Sequence, residues 1–142
     1  MVSILMPIFN GIEFIEESVN SIINQTYTDW ELLIAVNGYD ENSNVYKIAK
    51  EYECKYKYKN LENKIRVFDF YSAKGKHATL NRLLQYCNYD YVALLDVDDI
   101  WKLDKLQMQS QYLHKYDVIG SRCVYFGDLP GVIPNIPVGD IS

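Results

Sequence analysis

The amino-acid sequence predicts an α/β fold, a three-layer α/β/α sandwich in which a mainly parallel sheet carries helices on both faces. Short, continuous apolar runs at residues 2–9 and 31–36 are typical of strands that are covered on both sides. Between these runs, apolar residues recur at helical spacing, as at Ile15, Val19 and Ile22. Regular alternation of strands and helices favours a parallel sheet with helices on its two faces.

Five strands and four helices are expected along the chain. The strands are predicted at residues 2–9, 31–36, 65–70, 91–95 and 117–126, the fourth of them buried, and the helices near residues 12–23, 45–52, 78–87 and 101–114. Asn10 and Glu13 have the spacing of a capping box, and Ser43 is placed to cap the second helix. Residues 128–142 contain repeated Gly and Pro and predict an irregular tail after a core of residues 1–127.

Length and composition exclude several classes of protein. A chain of 142 residues suits a single domain, and a net charge of -5 argues against a nucleic-acid-binding surface, which would be basic. Three widely separated cysteines form neither a disulfide framework nor a zinc site, which favours a reducing compartment. The sequence has no signal peptide and no apolar run of the roughly 18 residues that a membrane span needs, so we expect a cytoplasmic protein.

In parallel sheets, ligands bind beyond the carboxyl ends of the strands, where the strand order reverses. Four segments follow predicted strands and are therefore candidate sites: residues 7–10, 37–40, 74–77 and 96–99.

The strongest chemical signal is LLDVDDIW at residues 94–101. If the strand end is extended, Asp96 and Asp98 point the same way, and crowded carboxylates repel each other unless a cation joins them. Mg²⁺ or Mn²⁺ fits, since such ions take one or two carboxylates and fill their remaining positions with water and phosphate. The alternative is a surface turn in which Asp99 caps the helix that follows.

The lysine-containing loop at residues 74–79 is a second candidate. It is not a P-loop, because Phe70 stands where that motif requires Gly and His77 where it requires Ser or Thr. Lys76 and the backbone amides of the following helix could still contact phosphate, although a solvated lysine loop is an equal alternative. The sequence also lacks GxGxxG after the first strand and any GxSxG.

Taken together, these segments resemble the inverting glycosyltransferases of family 2, which have the GT-A fold. The resemblance lies in the opening residues 2–38, in KGKHATLN at residues 74–81 and in LLDVDDIW, and it covers roughly residues 1–120. It implies transfer of a sugar, with inversion, from a nucleotide-diphospho-sugar, with a UDP-sugar favoured, and Mn²⁺ or Mg²⁺ as cofactor.

The resemblance also implies roles for individual residues. Asn37 stands where many members have an Asp that accepts a hydrogen bond from uracil, Lys76 would meet the diphosphate, and Asp99 would orient the neighbouring helix. The metal ligand would be Asp98, with Asp96 on the metal waters or the ribose. The whole implied donor-binding set is Pro7, Phe9, Asn10, Asn37, Lys76, Asn81, Asp96, Val97 and Asp98.

Two departures from the family pattern stand out. Asn37 and Tyr39 replace the Asp and Ser of the usual D-G-S turn, which weakens the expected contact with uracil and leaves another base open. No catalytic base is identifiable, since Asp128 and Asp140 match no base motif. We therefore expect the base beyond residue 142, in the acceptor-binding half of a longer enzyme. The acceptor (glycan, lipid or protein) and a homo-oligomeric state stay open.

Other functions remain as alternatives. A non-catalytic nucleotide-sugar-binding module would need no base. A nucleotidyltransferase would require a Gly-rich basic loop after the first strand, where this chain has FNGIEF. A phosphoacceptor signalling domain would require paired acids after the first strand and a lysine after the fifth, and neither is found.

Overall fold

A computed structural model describes residues 1–56, 61 and 64–126, together with the backbone of residues 131–132. The strands are β1 (Val2–Ile8), β2 (Trp30–Val36), β3 (Ile65–Asp69), β4 (Tyr91–Leu94), β5 (Val124–Tyr125) and β6 (Gly131–Val132). The helices are α1 (Ile15–Ile23), α2 (Asn44–Lys50), α3 (Tyr52–Lys55), α4 (Gly75–Leu84) and α5 (Lys105–Ser110), and a 3₁₀ turn at Ile12–Phe14 precedes α1.

Strands β1 to β4 form one parallel sheet in the order β3-β2-β1-β4. Strands β2 and β3 follow one another on one side of β1, and the chain then crosses over so that β4 pairs with the other side of β1. The strand order therefore reverses between β1 and β4, and this reversal places a crevice at their carboxyl ends.

The two central strands are buried along their whole length, as their continuous apolar sequences predict. One face of the sheet packs against α1, α2, α3 and α5 through residues such as Val19, Ala49 and Leu106. The opposite face, with Leu5 and Leu33, packs against Leu83 of α4. Helices thus cover both faces of a parallel sheet, and the predicted fold class is confirmed.

A buried polar network at the amino-terminal end of the sheet holds β4 in place. The Glu31 carboxylate accepts hydrogen bonds from the Ser3 hydroxyl (2.6 Å), from Arg66 (2.9 Å) and from the backbone and side chain of Asn88 (2.7 and 2.8 Å). Burial works to raise the pKa of Glu31, but the bonds from Ser3, Asn88 and Arg66 outweigh it and hold the pKa below its usual value. One carboxylate thereby joins β1, β2 and β3 to the segment that leads into β4.

Strand β4 was predicted to be buried, and this is wrong. Tyr91, Val92 and Leu94 are exposed, with 58% of Leu94 accessible. The reason is position: β4 pairs with β1 on one side only, and within the described residues nothing pairs with its other side.

Two further element predictions are wrong in extent. Only Val124–Tyr125 of the predicted fifth strand is extended, and it pairs antiparallel with Gly131–Val132, outside the main sheet. The predicted helix at residues 101–114 is reduced to α5, which begins at Lys105. The rest of the predicted tail, residues 128–142, lies outside the described residues.

The helix starts follow the sequence only in part. The Tyr46 amide donates to the Ser43 side chain at 3.2 Å, so the predicted cap of α2 is confirmed. The capping box at Asn10 and Glu13 is absent from the first helical turn, where Gly11 is the cap residue, with φ 85° and no side-chain cap bond. In the part of the chain that the structure describes, no helix is long and apolar enough to cross a membrane.

Candidate functional site

A cavity of about 460 Å³ lies at the strand-order reversal between β1 and β4. Its walls are Pro7, Phe9, Asn10, Gly75, Lys76, Asp96, Val97 and Asp98. It brings together the segments after β1 and β4 and the start of α4, three of the four places predicted from the sequence. Asn37 and Asn81, the other two residues of the predicted donor-binding set, are absent from these walls.

A larger hollow of about 1030 Å³ runs along the open side of β4 and beside α5. It contains Asp99 but neither the segment after β1 nor the start of α4. The smaller cavity is therefore the one at the carboxyl ends of β1 and β4, and it brings the ring of Phe9 and the Lys76 ammonium together with two carboxylates.

Phe9 provides an exposed aromatic face at this cavity. Its side chain is 55% exposed, and its ring lies 6.3 Å from the ring of Tyr39. A large apolar ring left in water beside polar groups is suited to stack on a planar ligand.

Asn37 lies at the carboxyl end of β2, one residue before Gly38, which packs against the Phe9 ring. Its backbone amide donates to the Ile8 carbonyl at 3.0 Å, which ties the ends of β1 and β2 together. The residue is 1% exposed, yet neither its side-chain nitrogen nor its oxygen has a hydrogen-bond partner. An unsatisfied buried amide costs free energy, and it retains a donor and an acceptor for a ligand.

The acidic segment forms a tight turn, so the predicted extended strand end is wrong. The Asp99 amide donates to the Asp96 carbonyl at 3.0 Å, which places Val97 and Asp98 at the centre of the turn. Asp96 and Asp98 nevertheless line the same cavity. Val97 is buried, and a Cβ at Gly11 would come within 3.1 Å of it, so the loop after β1 packs closely on the turn.

Helix α1 fixes this turn and the chain that follows it. The Ser18 hydroxyl donates to the Asp96 carbonyl at 3.3 Å, and the Trp101 amide donates to Ser21 Oγ at 3.1 Å. The Gln25 side chain donates to the Lys102 carbonyl at 2.7 Å and accepts from the Leu106 amide at 3.0 Å. Sequence reasoning missed these roles. The available signal was three polar residues at helical spacing, Ser18 and Ser21 in α1 and Gln25 just after its end.

The electrostatics of the turn depend on one lysine. Lys76 Nζ lies 2.6 Å from Asp96 Oδ2. Burial raises the pKa of Asp99, and the nearby carboxylates of Asp98 and Asp96 raise it further, while Lys76 opposes the rise. The turn is thus a crowded group of carboxylates that favours a positive partner.

The donor atoms of this site suit a hard divalent cation that also binds phosphate. Among the described residues, no group of three or more His, Cys, Asp or Glu side chains could enclose a metal ion. Two carboxylates, Asp96 and Asp98, are what Mg²⁺ or Mn²⁺ takes when phosphates and water complete its coordination. The Lys76 ammonium on Asp96 shows that the turn accepts positive charge.

A family model described as glycosyl transferase family 2 matches residues 3–136. The chain belongs to glycosyltransferase family 2. One relative is the UDP-Glc:alpha-D-GlcNAc-diphosphoundecaprenol beta-1,3-glucosyltransferase WfgD of Escherichia coli, 32% identical over 121 residues, which are 83% of this chain and 43% of WfgD. The O-antigen biosynthesis glycosyltransferase WbnJ of E. coli is 30% identical over 118 residues, 83% of this chain and 43% of WbnJ. The chain therefore spans less than half the length of these relatives.

Solved structures of glycosyltransferases share the fold. S. aureus TarS 1-349 in complex with UDP-GlcNAc has a TM-score of 0.62 at 17% identity, over 80% of this chain and 31% of TarS. The mannosyltransferase PcManGT from Pyrobaculum calidifontis, in complex with GDP-Man and Mn²⁺, has a TM-score of 0.64 at 16% identity, over 84% of this chain and 33% of PcManGT. The predictions of a family 2 glycosyltransferase and of the GT-A fold are confirmed, and the nucleotidyltransferase alternative gains no support.

Proposed function

We propose that this family 2 chain binds a nucleotide-diphospho-sugar in the cavity between β1 and β4, with a divalent cation at Asp98 and Asp96. The observation that carries the proposal is the meeting, in one cavity, of Phe9, Lys76, Asp96 and Asp98. These are the groups that a base, a diphosphate and its counter-ion require, and they come from three separate segments of the chain.

The base would stack on Phe9 and take its hydrogen bonds from Asn37. The Asn37 oxygen would accept from N3–H of uracil while its amide nitrogen donates to a neighbouring carbonyl oxygen of the ring. A UDP-sugar is favoured because the name of WfgD specifies UDP-Glc and one TarS structure contains UDP-GlcNAc. The GDP-Man complex of PcManGT shows that the fold also admits guanine.

The diphosphate would lie between Lys76 and the acidic turn. Lys76 and the first backbone amides of α4 would bind phosphate oxygens, and α4 has no side-chain cap that competes for those amides. Asp98, with Asp96, would hold Mn²⁺ or Mg²⁺. When bound, such an ion stabilises the negative charge that develops on a departing diphosphate.

Inverting transfer also requires a carboxylate that deprotonates the acceptor hydroxyl. Of the residues that line the cavity, only Asp96 and Asp98 are acidic, and both have the metal role. We therefore propose that the base lies outside the walls of this cavity. A donor-binding module without transfer activity is the second candidate, and it is favoured by this same absence of a third carboxylate from the cavity walls.

Titration calorimetry with UDP, with and without Mn²⁺, tests the proposal. Asp98→Asn keeps the size of the side chain but removes the charge, so UDP binding that depends on Mn²⁺ should fall at least tenfold. Asp104→Asn is the matched control, because Asp104 is exposed, makes no cap bond and lies outside the cavity. Unchanged UDP affinity in Asp98→Asn would refute the metal assignment.

A screen of donors separates the two candidates. UDP-, GDP- and dTDP-sugars are compared by thermal shift with and without Mn²⁺, since a true ligand of the folded state raises the melting temperature by mass action. The stabilising donor is then incubated alone, and with candidate acceptors, to measure hydrolysis and transfer. Binding without either reaction supports the module. Transfer supports the enzyme.

A further inference from the structure

We propose that Lys76 serves two anions in turn: it neutralises Asp96 before the donor arrives, and it moves to the diphosphate when a divalent cation takes its place on the acidic turn. This inference rests on the proposed function. It assigns Lys76 a positioning role that precedes donor binding, as an internal substitute for the metal ion.

The ion pair between Lys76 and Asp96 is one that a competing cation can break. The side chains of Lys76 and Asp96 are 51% and 42% exposed, and within the described residues the 2.6 Å contact between them is the only hydrogen bond of either side chain. Solvent-exposed ion pairs of this kind contribute little net free energy to stability. A divalent ion can therefore displace the Lys76 ammonium from Asp96. The Glu31–Arg66 pair is the contrast, because the Glu31 side chain is 5% exposed and accepts four hydrogen bonds.

The displaced ammonium stays at the site. Lys76 is the second residue of α4 and lines the same cavity as Asp98, so a change of rotamer moves its Nζ without moving the backbone. Beside it, a Cβ added at Gly75 would meet no atom within 4 Å, which shows that the space around the start of α4 is open. A phosphate oxygen in the cavity is therefore within the range of a lysine that has left Asp96.

The exchange has a thermodynamic consequence that a purely phosphate-binding lysine would not have. Without nucleotide, Lys76 and the cation compete for Asp96, so the lysine weakens metal binding. With nucleotide, Lys76 has a second anion and no longer competes. Nucleotide and metal then each increase the affinity for the other, and part of this coupling is carried by Lys76.

The test compares Lys76→Gln with Lys74→Gln, a matched loss of one positive charge from an exposed lysine two residues away. Free Mn²⁺ is measured by electron paramagnetic resonance with nucleotide-free protein, and UDP affinity by calorimetry at saturating Mn²⁺. For Lys76→Gln we expect Mn²⁺ binding roughly two- to fivefold tighter without nucleotide, the range of an exposed ion pair. UDP binding should be about tenfold weaker, as for loss of one charge-assisted hydrogen bond.

The exchange is supported if Lys76→Gln binds Mn²⁺ more tightly and UDP more weakly than wild type, and if Lys74→Gln shows no such opposite changes. Equal or weaker Mn²⁺ binding in Lys76→Gln overturns it, as does a similar gain in Lys74→Gln, which would reflect net charge alone. Failure of the proposed function is a different result, since the wild-type protein would then show no Mn²⁺-dependent binding of UDP. Circular dichroism confirms that each exposed-site variant is folded.

Discussion

The ring of Phe9 lies against Gly38: a Cβ added at Gly38 would be 2.4 Å from Phe9 Cδ2. Gly38 also has φ 80°, a conformation that L side chains rarely adopt. The residue after Asn37 must therefore be glycine for two independent reasons. The loop that follows β2 thus fixes the aromatic ring that follows β1, and with it the wall of the candidate donor site.

Gly38→Ala should disturb both stability and donor binding. The backbone strain and the displaced ring together should lower the free energy of unfolding by about 1–3 kcal/mol, measured by chemical denaturation. UDP affinity should fall several-fold in calorimetry, because Phe9 can no longer keep its place at the cavity.

A double-mutant cycle with Phe9→Ala isolates the steric part. In the Phe9→Ala background, Gly38→Ala should lower the free energy of unfolding by less than it does in wild type, since only the backbone strain remains. Gly120→Ala is the control, because a Cβ there meets no atom within 4 Å and its φ is ordinary. If the two changes at Phe9 and Gly38 are additive, the contact does not determine the ring position.

Asn37→Asp should narrow the choice of base. The Asn37 amide can accept a hydrogen bond from N3–H of uracil. If the side-chain oxygen and nitrogen exchange places, it can instead bind cytosine, whose N3 accepts a hydrogen bond and whose N4 amino group donates one. A carboxylate only accepts, so it should retain uracil and reject cytosine. We expect the ratio of UDP to CDP affinity to rise about tenfold, measured by competition calorimetry with Mn²⁺. An unchanged ratio would place Asn37 away from the base.

Glu31→Gln should destabilise the sheet without touching the cavity. It leaves Arg66 with a neutral partner and replaces one acceptor oxygen by a donor, at a cost of about 3 kcal/mol. Thermal and urea denaturation measure the loss, and Glu17→Gln, on the exposed side of α1, should have little effect. Equal stabilities of the two variants would contradict the structural role of the network.

Glu31 should also make the stability of the fold depend on pH. Because the pKa of Glu31 is lowered in the folded state, its contribution is fully present above the unfolded value of about 4.5 and is lost as the pH falls through the folded value. Wild type should therefore lose more stability than Glu31→Gln below about pH 4.5. Parallel curves for the two proteins in this range would show that Glu31 titrates normally.

The buried centre of the fold follows from local patterns, and so does the place of the site. Strands β1 and β2 are continuous apolar runs, which only a sheet covered on both faces accommodates. The rule that ligands bind where strand order reverses selected the segments that line the cavity. Seven of the nine predicted donor-site residues lie in its walls, while Asn37 and Asn81 do not.

The errors concern features that depend on distant parts of the chain. The sequence YVAL of β4 has the composition of a buried strand, but its exposure is decided by which strands pair with it. The turn at Asp96–Asp99 closes through a backbone hydrogen bond and through contacts with α1, none of which the acidic side chains encode. Strand propensity likewise failed at residues 117–126, of which only Val124–Tyr125 is extended, paired with Gly131–Val132 and not with the main sheet.

Gln25→Leu should loosen the acidic turn through the segment that Gln25 holds, residues 102–106. The substitution keeps the volume but removes three hydrogen bonds of a side chain that is 5% exposed, leaving the Leu106 amide and the Lys102 carbonyl without this partner. We expect a loss of about 2–3 kcal/mol in the free energy of unfolding. Mn²⁺-dependent UDP binding should weaken in addition, because the chain after Asp99 is less firmly held.

Thr26→Val provides the comparison, since the Thr26 hydroxyl makes one long, exposed contact of 3.5 Å with the Leu103 carbonyl. Its loss should change stability by less than about 0.5 kcal/mol and leave UDP binding unaltered. If Gln25→Leu is destabilised but binds UDP and Mn²⁺ like wild type, the acidic turn keeps its geometry through Ser18 and Ser21 alone. Equal stability of the two variants would instead mean that the Gln25 bonds contribute nothing net to the folded state.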